Sequence, residues 1–200
     1  MLYLTPVTIQ VQKEDVKHDM LIEKDNTVLV VIDFQERTMR VMHDADSVTK
    51  EAAKLIKGFE ILGQPVLITQ QYTKGLGDSV QEIKEACAAF SHIEKDTFSA
   101  MRDENFADAL KRAGMKNVVI CGAESHVCVL QTALAILKAG YNVFVAVDSV
   151  ASRKERDRDT AIKRMIQAGV TPVTVESVLF ELLDNDAKSE TFKAISRLIK

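Results

Sequence analysis

The reading of the fold starts from Asn117-Val118-Val119-Ile120-Cys121-Gly122-Ala123-Glu124-Ser125-His126-Val127-Cys128. Val118, Val119, Ile120 and Cys121 make a short β-branched apolar run, the pattern of a buried strand. Gly122 is expected to end that run. From Val127 the apolar period changes: Val127, Leu130, Leu134 and Leu137 share one helical face, and Gly140 follows where a glycine commonly ends a helix. The stretch therefore predicts a strand, a tight turn and a helix, with Cys128 in the first helical turn. Unpaired backbone N–H groups and the positive end of the helix dipole favour an anion there, and a thiolate is one. The competing reading is that Cys128 is a small buried apolar residue, as most free cysteines are.

Working outward, the same alternation recurs. Thr27-Val28-Leu29-Val30-Val31-Ile32 is continuously apolar after its first residue and ends at Asp33, as a strand buried on both faces would. A helix is predicted over 47–62, capped by Ser47, with Val48, Ala52, Leu55, Phe59 and Leu62 inward. A strand over 65–69 follows, then a glycine-bearing loop, a short helix around Val80, Ile83 and Cys87, and a brief strand ending at Lys95. Further on come helices over 104–113 and 155–168, a strand over 142–147 ending at Asp148, and a strand over 170–175. Pro172 marks that last strand as an edge. Two helical pieces over 177–183 and 187–199 close the chain. Helix, glycine, strand occurs four times, at Gly63, Gly114, Gly140 and Gly169. Helices alternating with apolar strands build βαβ units, and so an α/β fold with a parallel sheet covered on both faces. Residues 1–25 form an N-terminal extension in which Val7-Thr8-Ile9-Gln10-Val11 alternates enough for a short strand; residues 26–200 are expected to form one domain.

Composition narrows the class. A chain of 200 residues with 46 % hydrophobic content can bury a sizeable core. Twenty-six Lys and Arg against 29 Asp and Glu give a formal net charge of −3, which argues against a nucleic-acid partner. Three cysteines without a C-x-x-C pair suit a reducing compartment rather than a disulfide frame or zinc site. No apolar run is long enough for a bilayer and residues 1–25 lack the pattern of a signal peptide, so a cytoplasmic protein without membrane contact is expected.

In an open α/β sheet the ligand site lies outside the carboxyl ends of the strands. At those ends stand Asp33, Gln70 and Gln71, Lys95, the Cys128 turn, and Asp148. A carboxylate can take a thiol proton and a cation can hold the resulting thiolate, so Asp33, Lys95 and Cys128 form a coherent set. Taken singly, Asp33 is more commonly a turn cap and Lys95 a solvated loop lysine; Asp148-Ser149 is equally a structural cap, and His126 reads as a turn histidine. The four histidines form no metal motif, and no cofactor is expected.

Three segments carry a resemblance: Leu29-Val30-Val31-Ile32-Asp33-Phe34-Gln35, Glu94-Lys95-Asp96-Thr97-Phe98-Ser99-Ala100, and Gly122-Ala123-Glu124-Ser125-His126-Val127-Cys128-Val129. Together they resemble the signature segments of the isochorismatase-like cysteine hydrolase superfamily. Gln70-Gln71-Tyr72-Thr73-Lys74-Gly75-Leu76-Gly77 and Val150-Ala151-Ser152-Arg153 are most similar to its isochorismatase domain-containing branch. The resemblance implies a three-layer α/β/α, Rossmann-like fold with a six-stranded parallel sheet. It implies Asp33 as proton acceptor, Lys95 as its cationic partner and Cys128 as nucleophile. It also implies a cis peptide at Ala123-Glu124 and an oxyanion hole from the backbone N–H groups of Glu124 and Cys128. Phe34, Gln71, Tyr72, Phe98 and Ser125 become candidates for substrate contact. Relatives with an Asp-x-His metal motif after the second strand differ here, where Gln70-Gln71-Tyr72 stands. The expectation is a metal-free hydrolase of a small amide or related C–N compound, acting through a Cys128 thioester and assembled as a homo-oligomer (dimer or tetramer). A lysine beside Asp33 favours its ionised form, which suits a base more than an acid. The alternatives are an isochorismatase-type enol-ether hydrolase and a catalytically silent binding or scaffold protein.

Overall fold

The computed structural model describes residues 21–183 and 189–200. Six strands form one parallel sheet: β1 (Thr27–Ile32), β2 (Val66–Gln71), β3 (Ile93–Lys95), β4 (Asn117–Ala123), β5 (Asn142–Ala151) and β6 (Thr171–Val173). Their order across the sheet is β3-β2-β1-β4-β5-β6. From β1 the chain winds outward to β2 and β3, then returns to the other side of β1 as β4. The crevice between the ends of β1 and β4 is therefore the topological switch point, where this architecture binds ligands.

Nine α-helices accompany the sheet among the described residues: α1 (Glu36–Met39), α2 (Ala45–Ile61), α3 (Thr73–Leu76), α4 (Gln81–Ala86), α5 (Glu104–Ala113), α6 (Leu130–Lys138), α7 (Glu155–Ala168), α8 (Val175–Leu182) and α9 (Glu190–Ile199). Alternation along β1 divides the core. Leu29 and Val31 face Leu55 and Phe59 of α2 with Leu179 of α8 and Ile195 of α9. Val28, Val30 and Ile32 face Phe106 of α5, Ile136 of α6 and Met165 of α7. Full burial of an aliphatic side chain contributes about 1.5–3 kcal/mol, so a strand apolar on both faces is held centrally. None of the helices is long and apolar enough to cross a membrane.

The helix, glycine, strand punctuation holds: Gly63, Gly114, Gly140 and Gly169 all have positive φ. Other expectations shift. Helix α2 begins at Ala45 after Asp44, which adopts a left-handed conformation (φ 53°), so Ser47 lies inside its first turn. Gly122 does not end β4; the strand runs on through it to Ala123. A Cβ there would sit 2.2 Å from the Ile32 carbonyl oxygen, and φ is +137°, so only glycine lets β4 approach β1 this closely. β5 continues past Asp148 to Ala151 through a register irregularity opposite β4. The Asp148 carboxylate accepts from the Val175 N–H (3.0 and 3.1 Å) at the start of α8, which makes it a cap and not a site residue. The alternating segment over residues 7–11 lies outside the described residues.

Candidate active site

Asp33 follows β1 with φ 52°, a left-handed conformation that aspartate tolerates better than most residues and that concentrates at functional sites. Register decides its partners. Ile32 pairs with Thr69, and the Thr69 hydroxyl donates to Asp33 Oδ1 at 2.7 Å. Gln71 pairs with Lys95 on β3, and Lys95 Nζ reaches back across β2 to donate to Asp33 Oδ2 at 2.7 Å. Adjacent strands lie about 4.8 Å apart, so only a long side chain spans the two intervals from β3 to β1. The other Nζ donors go to Gln71 Oε1 (2.7 Å) and the Thr97 carbonyl (3.1 Å). Lys95 is 1 % exposed and Asp33 2 %, so this is a buried ion pair with every ammonium hydrogen in use.

From β4 the chain passes through a cis Ala123–Glu124 bond and a π-helical turn, Ser125–Val129, before α6 begins. Single π turns are common at functional positions because they redirect one side chain. Here the turn brings Cys128 beside Asp33, near enough that the carboxylate's charge acts on the thiol. Cys128 is 7 % exposed and packs in the cluster that contains Val129 and Ala133. Burial, followed by the Asp33 charge, pushes its pKa up to about 12, while Lys95 and the Glu124 N–H pull the other way. The shift runs against a helix-stabilised thiolate, because burial favours the protonated sulfur.

Both groups open onto a cavity of about 300 Å³ at the switch point, which Asp33, Cys128, Glu124, Gln71 and Phe98 help to line. Of the expected substrate contacts, Gln71 and Phe98 are there. Phe34 is not; it is fully buried in the core beside α2, because the left-handed turn at Asp33 directs the next side chain inward. Tyr72 is half exposed outside the cavity, with its ring against Gly75. Ser125 is fully buried, and its hydroxyl has no hydrogen-bond partner among the described residues.

Reading the sequence missed Arg37, Val41, Met42, Leu76, Val127 and Arg153, which complete much of the wall. Arg153 binds the Glu124 carboxylate at 2.8 Å across the mouth. Gln35, which closes the first signature segment, was not singled out either. Its side-chain amide bonds the Gln71 backbone N–H and carbonyl and the Gly77 carbonyl, tying β1 to the loop that follows β2. Its place next to the Asp33-Phe34 motif was the one available signal. His126 donates to or accepts from the Ser152 hydroxyl at 2.9 Å. Among the described residues no group of three or more His, Cys, Asp or Glu side chains is gathered as a metal ion would require. The Gln70 side chain instead bonds Asp78 and Ser79.

The chain matches the family model described as Isochorismatase domain over residues 27–177. It is 37 % identical over 174 residues to isochorismatase domain-containing protein 1 of Salmo salar, covering 87 % of this chain and 61 % of that relative. The chain thus spans about three fifths of that relative's length. A Caenorhabditis elegans structure described as MAR1 ribonuclease is 37 % identical with a TM-score of 0.83, covering 90 % of this chain and 92 % of that one. YcaC from Pseudomonas aeruginosa, described with hexane-2,5-diol and covalent acrylamide, is 27 % identical with a TM-score of 0.83, covering 88 % and 90 %. By sequence over most of its length and by the six-stranded parallel sheet, the chain belongs to the isochorismatase domain family.

Proposed function

We propose that this chain is a hydrolase that cleaves a small-molecule amide or related C–N bond through a thioester on Cys128. One observation carries the reading: a buried thiol shares a cavity wall with a carboxylate that Lys95 and Thr69 hold in place. With its pKa near 12, the thiol must lose its proton as it attacks. Asp33 takes that proton while Sγ bonds the acyl carbon, and Lys95 balances the charge that moves onto sulfur. The oxyanion of the tetrahedral intermediate is assigned to the backbone N–H groups of Glu124 and Cys128. As the C–N bond breaks, the protonated Asp33 gives its proton to the departing nitrogen. Water then attacks the thioester, Asp33 removes its proton, and the C–S bond breaks to release the acid and restore the thiol.

The covalent acrylamide described for the P. aeruginosa relative supports a reactive nucleophile in this fold, a role that Cys128 would take in this chain. A polynucleotide substrate, which the name of the C. elegans relative raises, fits less well with a cavity of about 300 Å³ and a net charge of −3. Enol-ether hydrolysis would leave Cys128 idle and require a protonated Asp33, although its Oδ2 already accepts from the Lys95 ammonium.

The experiment is mass spectrometry of protein quenched while it turns over a panel of small amides. An acyl mass on the peptide containing Cys128 is expected, and Cys128→Ala should lower hydrolysis by at least about 10³-fold. Hydrolysis that survives in Cys128→Ala overturns the assignment, and absence of turnover over the whole panel favours a silent binding protein.

A further inference from the structure

We infer that Arg37 selects substrates carrying a carboxylate, so that the compound attacked at Cys128 is a small anionic C–N compound with a short apolar spacer. The inference rests on reading Cys128 as the nucleophile and narrows the substrate class of that same site.

Charge bookkeeping around the cavity is the starting point. The two carboxylates at its wall are both occupied: Asp33 by Lys95 at 2.7 Å and Glu124 by Arg153 at 2.8 Å. Arg37 lines the same cavity, and among the described residues no carboxylate lies within ion-pair distance of it. The site therefore holds one uncompensated cation, in a chain whose net charge is −3. General basicity does not explain it.

The guanidinium is also already positioned. Arg37 sits in the single turn of α1, directly after β1, and its Nη1 donates to the Gly75 carbonyl at 2.6 Å. The remaining N–H groups of the planar fork stay available, the geometry that binds a carboxylate through two parallel hydrogen bonds. Less side-chain freedom is lost on binding when the group is held in advance.

Gln71 points the same way. Its Oε1 accepts from Lys95 Nζ at 2.7 Å, which orients the amide, and Nε2 has no protein acceptor among the described residues. The cavity thus offers donors from Arg37 and Gln71 and no free carboxylate. A ligand rich in acceptors satisfies them, whereas a cationic ligand meets a surplus positive charge. Val41, Met42, Leu76 and Val127 make an apolar part of the same wall. A volume of about 300 Å³ is at the small end of ligand pockets, which span about 300–1,000 Å³.

The test uses two alkylating reagents of nearly equal shape and different charge, iodoacetate and iodoacetamide. Both react by one displacement: the Sγ–C bond forms, the C–I bond breaks, iodide departs and the thiol proton leaves to Asp33 or solvent. Labelling rates at Cys128 are read by peptide mass, with the half-buried Cys87 in the same molecule and free 2-mercaptoethanol as references. The iodoacetate-to-iodoacetamide rate ratio at Cys128 should exceed both reference ratios by about 10-fold or more, the scale of focusing by a cleft of one sign. Arg37→Gln should bring the ratio down to the references, and Arg37→Lys should restore part of it. A wild-type ratio equal to the references, a ratio unchanged by Arg37→Gln, or no labelling of Cys128 by either reagent overturns the inference. The acyl-trapping experiment fails or succeeds separately. Anion preference without an acyl adduct retains this selectivity and removes the hydrolase reading; an adduct without preference does the reverse.

Discussion

Asp33 and Cys128 line one cavity wall, and the surroundings of each act on the other's charge. Burial, and after it the Asp33 carboxylate, raise the thiol pKa, whereas Lys95 and the Glu124 N–H lower it. Asp33→Asn removes the raising influence of the carboxylate and leaves the lowering ones. The sign follows: the thiol pKa falls below about 12, and the pH profile of iodoacetamide labelling at Cys128 shifts to lower pH. Hydrolysis should nevertheless drop by about 10²–10⁴-fold, because the group that moves the proton is gone. A purely structural Asp33 would not produce a more reactive thiol alongside a slower enzyme. Labelling and rate profiles on the same variant check both signs. The three residues were legible because each ends a strand or opens a helix. Phe34, Tyr72 and Ser125 were misjudged because adjacency to such a position does not reveal which way the next side chain turns.

The strands do more than present ends. β4 lies so close to β1 that a Cβ at Gly122 would sit 2.2 Å from the Ile32 carbonyl oxygen and 2.7 Å from its Cβ. Those strands carry Asp33 and the Cys128 turn, so their spacing sets the distance between the carboxylate and the thiol that the proposed mechanism uses. Gly122→Ala must push them apart as well as adopt φ +137°. It should cost at least about 2 kcal/mol, measured by urea unfolding, and reduce activity further than the lost folded fraction accounts for. Equal stability of variant and wild type would show that the crowded approach relaxes freely. The strand itself was legible from its apolar run, but the glycine inside it looked like a terminus. Composition cannot distinguish a glycine that ends a strand from one that admits a neighbouring backbone. Arg37 went unread for a related reason: a single helical turn such as Glu36–Met39 is too short to show periodicity.

For the molecule as a whole, two expectations concern what accompanies the chain. No described cluster of side chains suits a metal ion, so extended chelation should leave hydrolysis unchanged, with metal content followed by elemental analysis. Loss of activity on chelation and its return with one metal would refute this. Val41, Tyr72 and Phe98 are large apolar side chains more than half exposed, and Val41 and Phe98 border the cavity. Apolar surface gathered at a site mouth is commonly covered by ligand or by another chain. Light scattering at micromolar concentration should therefore give a dimer or larger assembly; a monomer mass would leave that surface to the substrate alone.

The order of apolar runs and glycines was enough to determine a parallel α/β sheet, and with it the rule that places Asp33, Lys95 and Cys128 at one edge. Period and punctuation are local properties, so they survive in the linear chain. The tertiary structure alone decided the rest. Strand order put Lys95 two strands from Asp33 and within reach of it, and register chose Thr69 and Gln71 as partners. Burial by segments distant in the chain pushes the Cys128 thiol pKa up, where its position beside a helix start suggested a lowered one. Desolvation and charge pairing depend on what surrounds a group in space, and that is set only once β1, β3 and β4 have packed together.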